Sequence, residues 1–324
     1  MNGLRAAIIG LTGLLGIAAS AAPALAADYP NRPVHWLIGF AAGGPVDIVA
    51  RILSQWLSEH FGQQFVVENR AGSGGNIAAA TAINATPDGY TLLFTTSSIS
   101  IAPSIYKSLP YDVLRDLTPI SQILTQPTTL IALDGFAAST IPELIALARA
   151  QPGTITYASG GNGTTNHLSG EMLKALAGID IVHVPYRGTA PAFTALIAGE
   201  VDMMFASTIE SMPLIKAGRV KALAVTNAER SPLLPDLPTI GEFVPGYECT
   251  IWYGMWGPAG LPPEILTALS DAILALPGEP DIKARFDQFG ATLVASTPPA
   301  FARHLKAEVD RWAKLVAAAG IQID

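Results

Sequence analysis

Along most of the chain, short runs of β-branched and aromatic residues alternate with longer segments whose apolar positions recur at helical spacing. The short runs predict strands at Val34 to Phe40, Phe65 to Glu68, Thr91 to Thr95, Thr129 to Leu133, Ile155 to Ala158, Ile179 to Pro185, Val201 to Phe205, Ala222 to Thr226 and Thr292 to Ala295. Between them the pattern predicts helices at Val46 to His60, Ile77 to Asn84, Ile141 to Ala150, Thr165 to Ala177, Pro191 to Ala198 and Pro263 to Leu276. A last helix, Pro298 to Ala319, places Phe301, Leu305, Val309, Trp312 and Val316 on one core-facing stripe. Strand, helix, strand in repetition predicts parallel or mixed sheets covered on both faces, an α/β fold. No short-period repeat and no low-complexity linker interrupts the alternation.

The opening segment departs from this pattern. It has one early cation, Arg5, an apolar stretch from about Ala6 to Ala19, and small residues at Ala24 and Ala26 before Ala27. Residues 1–26 are therefore expected to be a secretory signal peptide, and the mature chain to be periplasmic. No later segment offers the ~20 consecutive apolar residues a membrane-spanning helix needs. No cysteine stands at the cleavage site to carry a lipid. Cys249, the single cysteine, has no partner for an internal disulfide and is expected to be a buried, unreactive thiol.

Charge and size narrow the function. The chain carries 19 basic and 26 acidic residues, a formal net charge of −7, and loss of the leader with Arg5 makes the balance more acidic. Nucleic acid and anionic membranes are thereby excluded as expected partners. Some 300 residues, half of them apolar, fill one large core or two ordinary ones, and two are expected.

In open α/β sheets, ligands sit beyond the carboxyl ends of strands, where loops turn into helices. Two such turns share their chemistry. In "FAAGGPVDIVARIL" a strand ends at Phe40, Gly43 and Gly44 allow a tight turn, and Pro45 and Val46 open a helix, a position where proline's missing N–H is no loss. In "YASGGNGTTNHLSG" a strand ends at Ser159, and Thr164 or Thr165 caps the helix carrying His167. Each turn leaves unpaired N–H groups at the positive end of a helix dipole, which attracts anions. Glycines at strand ends also occur wherever a chain must turn, so each loop alone has a purely structural reading. Asp47 either complements the dipole of its helix or orients ligand and water. His167 either bonds neighbouring backbone or meets the ligand. Arg187, in "HVPYRGTAP", is either a fork for a carboxylate or a solvated loop charge.

Catalytic readings find less support. Ser159 lies in "YASGG", which lacks the G-x-S-x-G elbow of serine hydrolases, and His167 and His183 have no acid at a recognisable spacing. Neither H-E-x-x-H nor paired cysteines occur, so no metal is expected. "ENRAGSGGNIAAA" begins like a dinucleotide fingerprint, but Ile77 stands where the third glycine belongs, so no cofactor is expected.

The ordered set "YPNRPVHWLIGFAAGGPVDIVAR", "VVENRAGSGGNIAA", "PDGYTLL", "YASGGNGTTNHLSGE", "HVPYRGTAPAFTALIAGEVDMMF", "GRVKALAVT", "LPTIGE", "WYGMWGPAGLP" and "RWAKLVAAAGI" resembles the substrate-binding proteins of tripartite tricarboxylate transporters, the Bug or TctC-like periplasmic receptors. It spans nearly the whole chain after the leader. Family members often carry proline where this chain has Ala41 and Ala42. The resemblance implies a two-lobed, type II-like periplasmic binding protein with mixed sheets, two crossovers and a ligand cleft that closes like a hinge. Lobe 1 would comprise residues 27–127 and 228–324, and lobe 2 residues 128–227, with crossovers near Gln126 to Thr129 and Thr226 to Ala228. The implied ligand is a mono-, di- or tricarboxylate or an aromatic acid, delivered by a monomeric receptor of a Gram-negative bacterium to inner-membrane permease subunits. Two glycine-bearing loops, Phe40 to Asp47 and Ser159 to His167, would hold one carboxylate, aided by bridging waters. The implied ligand-binding set is Phe40, Ala42, Gly43, Gly44, Asp47, Ser98, Ser159, Gly161, Asn162, Gly163, Thr164, His167, Arg187, Thr189, Ala190 and Ser207. The alternative from another class is an exported ester or amide hydrolase using Ser159 and His167. A receptor used for sensing is a third.

Overall fold

The computed structural model describes residues 29–319, and there the alternating pattern resolves into two separate β-sheets. The expected leader lies outside the described residues. In chain order the strands are β1 (Val34–Ile38), β2 (Phe65–Asn69), β3 (Thr91–Thr96), β4 (Leu117–Gln126), β5 (Thr128–Leu133), β6 (Thr156–Ser159), β7 (Val182–Pro185), β8 (Met203–Ser207), β9 (Val220–Val225), β10 (Ile251–Pro258) and β11 (Thr292–Leu293). The helices are α1 (Pro45–Phe61), α2 (Asn76–Ile83), α3 (Ser98–Ile105), α4 (Ile141–Ala150), α5 (Thr165–Ala177), α6 (Thr189–Ala198), α7 (Thr208–Lys216), α8 (Pro263–Ala275), α9 (Pro280–Gln288) and α10 (Pro298–Ala319).

The first sheet runs β11-β4-β10-β3-β1-β2 and the second β7-β6-β8-β5-β9. Both are mixed. In the first, β1 lies parallel to β2 and β3, whereas β10 is antiparallel to β3 and β4. In the second, β6 is parallel to β7 and β8, whereas β5 is antiparallel to β8 and β9. Alternation along each strand sends side chains to opposite cores. Trp36 and Ile38 of β1 enter one cluster with α1 and α8, while Leu37 faces another with α2 and the first half of α10. In the second sheet Met203 and Phe205 of β8 face α4 and α5, while Met204 and Ala206 face α6.

Pro127 alone separates β4 of the first sheet from β5 of the second. The return passage is held where Thr226 Oγ1 donates to the Cys249 carbonyl at 2.6 Å and the Cys249 N–H donates to the Thr226 carbonyl at 2.9 Å. Between those points Ile240, Val244 and Tyr247 pack into the core of the second sheet, as do Trp312 and Val316 of α10. The expected division counts these residues with lobe 1. The chain therefore rejoins the first sheet at Ile251 rather than near residue 228, and α10 spans both cores. Cys249 is fully buried, and burial pushes its thiol up to about 11.

Candidate functional site

The first turn is fastened from within. Gly44 caps α1 without a side-chain bond and Pro45 opens the helix. Asp47, 3% exposed, accepts the Gly43 N–H at 3.0 Å, Arg51 Nε at 2.9 Å and Asn69 Nδ2 at 3.0 Å; the same Asn69 amide also donates to the Phe40 carbonyl at 3.0 Å. Burial alone would raise the Asp47 carboxyl, but the bonds from Arg51, Gly43 and Asn69 outweigh it and hold it below the ordinary carboxylate range. Of the two readings open for Asp47, neither describes it fully: it is the clasp of the turn. Gly43, at φ +80°, spends its N–H on that clasp.

The second turn is built in the same way. Ser159 Oγ lies 2.6 Å from His183 Nε2 and accepts the Gly161 N–H at 3.1 Å. Thr164 caps α5 by accepting the His167 N–H at 3.4 Å and donates its own hydroxyl to the Gly161 carbonyl at 2.7 Å. The Gly163 N–H reaches His167 Nδ1 at 3.3 Å, and the His167 ring stacks on His183 with centroids 4.0 Å apart. Burial, with lesser repulsion from Lys174, lowers His167 to about 4. Burial lowers His183 to about 3. Both rings are neutral braces of the turn.

With those N–H groups engaged, the groups left pointing outward belong to the first helical turns. Four helix starts converge on one small cavity between the sheets: Gly44 to Val46 of α1, Thr164 to Asn166 of α5, Gly188 to Ala190 of α6, and Ser207 with Glu210 of α7. Phe40, Ala41, Thr96, Ile251 and Tyr253 complete its wall, and among the described residues no lysine, arginine or histidine lines it. First-turn N–H groups have no intrahelical acceptor, so Val46, Thr165 and Asn166 offer donors where four dipoles place their positive ends. The geometry suits an anion held by backbone rather than by a side-chain cation. Glu210 is the one ionisable acid on this wall. Its Oε1 accepts Thr189 Oγ1 at 2.7 Å and its Oε2 accepts Ser207 Oγ at 3.2 Å. Burial pushes its carboxyl up to about 7, against the lowering effect of those two hydroxyls.

The cavity continues past Phe40, Ala41 and Gly188 into a wider opening lined by Ser73, Tyr106, Gly161, Asn162 and the exposed Arg187. Across this cleft the two sheets' loops touch. Ser97 Oγ and Thr165 Oγ1 are 2.7 Å apart, and Tyr106 Oη donates to the Asn162 carbonyl at 3.2 Å. A Cβ on Gly163, which has φ +78°, would stand 2.6 Å from Ile105 Cδ1, so a side chain there would crowd this approach. The lobes are closed on each other.

Of the residues singled out by sequence, Phe40, Gly44, Thr164, Thr189, Ala190 and Ser207 line the cavity, and Gly161, Asn162 and Arg187 line its opening. Ala42 and Gly43 are exposed on the outer side of their turn. Asp47, Ser159, Gly163 and His167 stand behind the walls as supports. Ser98 is buried with its hydroxyl 2.9 Å from Thr96 Oγ1, and Thr96 faces the cavity in its place. Ser159 pairs with His183 rather than His167 and is fully buried. Thr96, Gly188, Glu210, Ile251 and Tyr253 line the cavity but are not in the implied ligand-binding set. Thr96 and Glu210 had a usable signal, since Thr96 ends one apolar strand and Glu210 lies just past the carboxyl end of another. Among the described residues no group of three or more metal-ligating side chains gathers, and no helix is long and apolar enough to cross a membrane.

Residues 49–321 match the family described as "Tripartite tricarboxylate transporter family receptor". Protein BugT of Bordetella pertussis is 34% identical over 324 residues, covering 98% of each chain. Among solved structures, an R. palustris protein with adipate superposes with a TM-score of 0.88 at 37% identity, covering 91% of this chain and all of that one. MatC from Rhodopseudomonas palustris with bound malate gives 0.85 at 31% identity, covering 89% of this chain and all of its own.

Proposed function

Because the chain belongs to the tripartite tricarboxylate transporter receptor family, the Bug receptors, we propose that it captures a small organic carboxylate in the interlobe cavity and hands it to a membrane permease. The observation that carries this is the convergence of four helix starts on a cavity without a cationic side chain. The carboxylate accepts the N–H groups of Val46, Thr165 and Asn166 and the hydroxyl of Thr96, directly or through water. Such charge-assisted bonds are strong where the surroundings are poorly solvated, and bridging waters add at most ~2 kcal/mol of penalty each. The distal end of a longer ligand extends into the opening beside Tyr106, Asn162 and Arg187. Relatives with adipate and malate support a carboxylate of this size.

The division of labour follows. One lobe carries the first sheet and presents α1; the other carries the second sheet and presents α5, α6 and α7. A ligand bonded to both stabilises the closed state, since only closure offers all its contacts. The leader directs the chain to the periplasm, where it works as a monomer without cofactor and without turnover. A hydrolase reading is disfavoured because Ser159 is fully buried, bonded to His183 and Gly161, and absent from the cavity wall. A thermal-shift screen of mono-, di- and tricarboxylates against their uncharged amides tests the proposal. Carboxylates should raise the melting temperature and amides should not. Equal stabilisation by amides, or release of a hydrolysis product, contradicts it.

A further inference from the structure

Resting on that reading, we propose that Glu210 sets the specificity of the cavity, selecting carboxylates that carry a hydrogen-bond donor, hydroxyl or ammonium, beside the bound carboxylate. Glu210 lines the same cavity as Val46 of α1 and Thr165 and Asn166 of α5. The wall around it is largely apolar, with Phe40, Val46, Ile251 and Tyr253. The Tyr253 hydroxyl is turned away to Gln126 Oε1 at 2.9 Å. Among the described residues no lysine or arginine pairs with Glu210; Thr189 and Ser207 are its hydrogen-bond partners.

Each oxygen accepts one hydroxyl, which leaves about two of its four acceptor positions open. Those two bonds come from α6 and from the cap of α7, so the carboxyl is oriented before a ligand arrives. What occupies the rest of the cavity then matters. An apolar atom at that point strips water from an acceptor without replacing it and is disfavoured. A hydroxyl or ammonium satisfies it. A site built to bond a donor rejects the analogue lacking it far more strongly than an apolar pocket rejects a missing methylene.

Calorimetry on the full mature chain with two matched series tests this: succinate, malate and aspartate, and butyrate, 2-hydroxybutyrate and 2-aminobutyrate. In at least one series a donor-bearing member should bind about ten- to a hundredfold tighter than the bare acid. Glu210→Leu should collapse that ratio to about unity by weakening the donor-bearing member. Glu210→Gln keeps the shape and an acceptor oxygen, and separates the two donors: a hydroxyl preference survives it, an ammonium preference is lost. Retention of unliganded melting temperature guards against unfolding, and the isosteric Gln variant gives the readout if Leu does not fold. A wild-type preference for bare acids, which a protonated Glu210 donating to a second carboxylate would produce, overturns the proposal. So does a ratio that Glu210→Leu leaves unchanged, or binding to neither series. Carboxylate binding elsewhere in the screen, with no binding here, leaves the receptor reading intact while this one fails; no carboxylate binding at all removes both.

Discussion

Gly43 and Gly44 look alike in the sequence, yet they do different things. Gly43 needs its positive φ and gives its N–H to Asp47; Gly44 has an extended backbone, φ −81° and ψ 172°, that any residue adopts. The difference was illegible because it depends on Asp47, Arg51 and Asn69 meeting across two strands' loops. Sequence located both glycine turns correctly in the chain, but could not say which N–H groups the protein would consume itself. Ser159 braces its turn, His167 bonds neighbouring backbone, which is one of the two readings open for it, and Asp47 clasps the first turn. Asp47→Ala should remove the clasp, weakening carboxylate affinity about tenfold and lowering stability by roughly 1 to 3 kcal/mol, because it deletes the bonds from Gly43, Arg51 and Asn69 together. Urea melts and calorimetry on one preparation separate the two effects. Unchanged affinity would mean that the turn holds its shape without Asp47.

At the scale of elements, strands that are short, largely buried runs such as β1, β3 and β8 were readable, whereas β4 and β10 were not. In "LTPISQILTQ" the polar residues are satisfied by partners far along the chain: Ser121 Oγ donates to the Ser296 carbonyl at 2.7 Å, and Ser296 Oγ accepts the Gln122 N–H at 2.9 Å. In "IWYGMWGP" Gly254 interrupts an aromatic run because Phe301 of α10 occupies the space of its side chain; a Cβ there would lie 2.3 Å from Phe301 Cζ. Gly254→Ala should therefore destabilise the fold by about 1 to 3 kcal/mol through overpacking, measured by chemical denaturation. Helix α7 escaped notice because its nine residues carry Pro213 inside and a weak apolar stripe, and Glu210 escaped with it. The paired histidines make the second turn sensitive to acid. Their folded values, about 4 and about 3, lie below the ordinary 6.5, so the stability they contribute is complete above pH 6.5 and lost as pH falls below it. Glu210 acts with the opposite sign: its raised carboxyl favours the fold at low pH and that contribution is lost as pH rises toward 7. In a Glu210→Gln background, stability should fall between pH 7 and pH 5 by about 2 kcal/mol per histidine. A flat profile in urea melts would contradict the buried, neutral pair.

For the whole molecule, the two-sheet architecture was legible from the alternation and from the family-like motifs, but the path between the sheets was not. Nothing local marks residues 228 to 249 as belonging to the second core; that placement depends on Tyr247 reaching the Ser169 carbonyl at 3.1 Å and on the Thr226 to Cys249 bonds. Closure brings Ser97 against Thr165 and Tyr106 against Asn162, so a ligand-free, dialysed sample should open and show a larger radius of gyration by X-ray scattering than the loaded one. An unchanged radius at saturation would mark a rigid, preclosed site. The central claim is that helix starts, and not a cationic side chain, hold the carboxylate between the lobes. A Cβ on Gly44 would lie 3.4 Å from Thr189 Oγ1, so valine there fills the cavity while its backbone stays unstrained. Calorimetric titration of one carboxylate identified by the thermal-shift screen into Gly44→Val and Arg187→Ala decides it. Gly44→Val should weaken binding about a hundredfold or more, and Arg187→Ala by about tenfold or less. If Arg187→Ala abolished binding while Gly44→Val retained it, the guanidinium would hold the carboxylate and the helix starts would not.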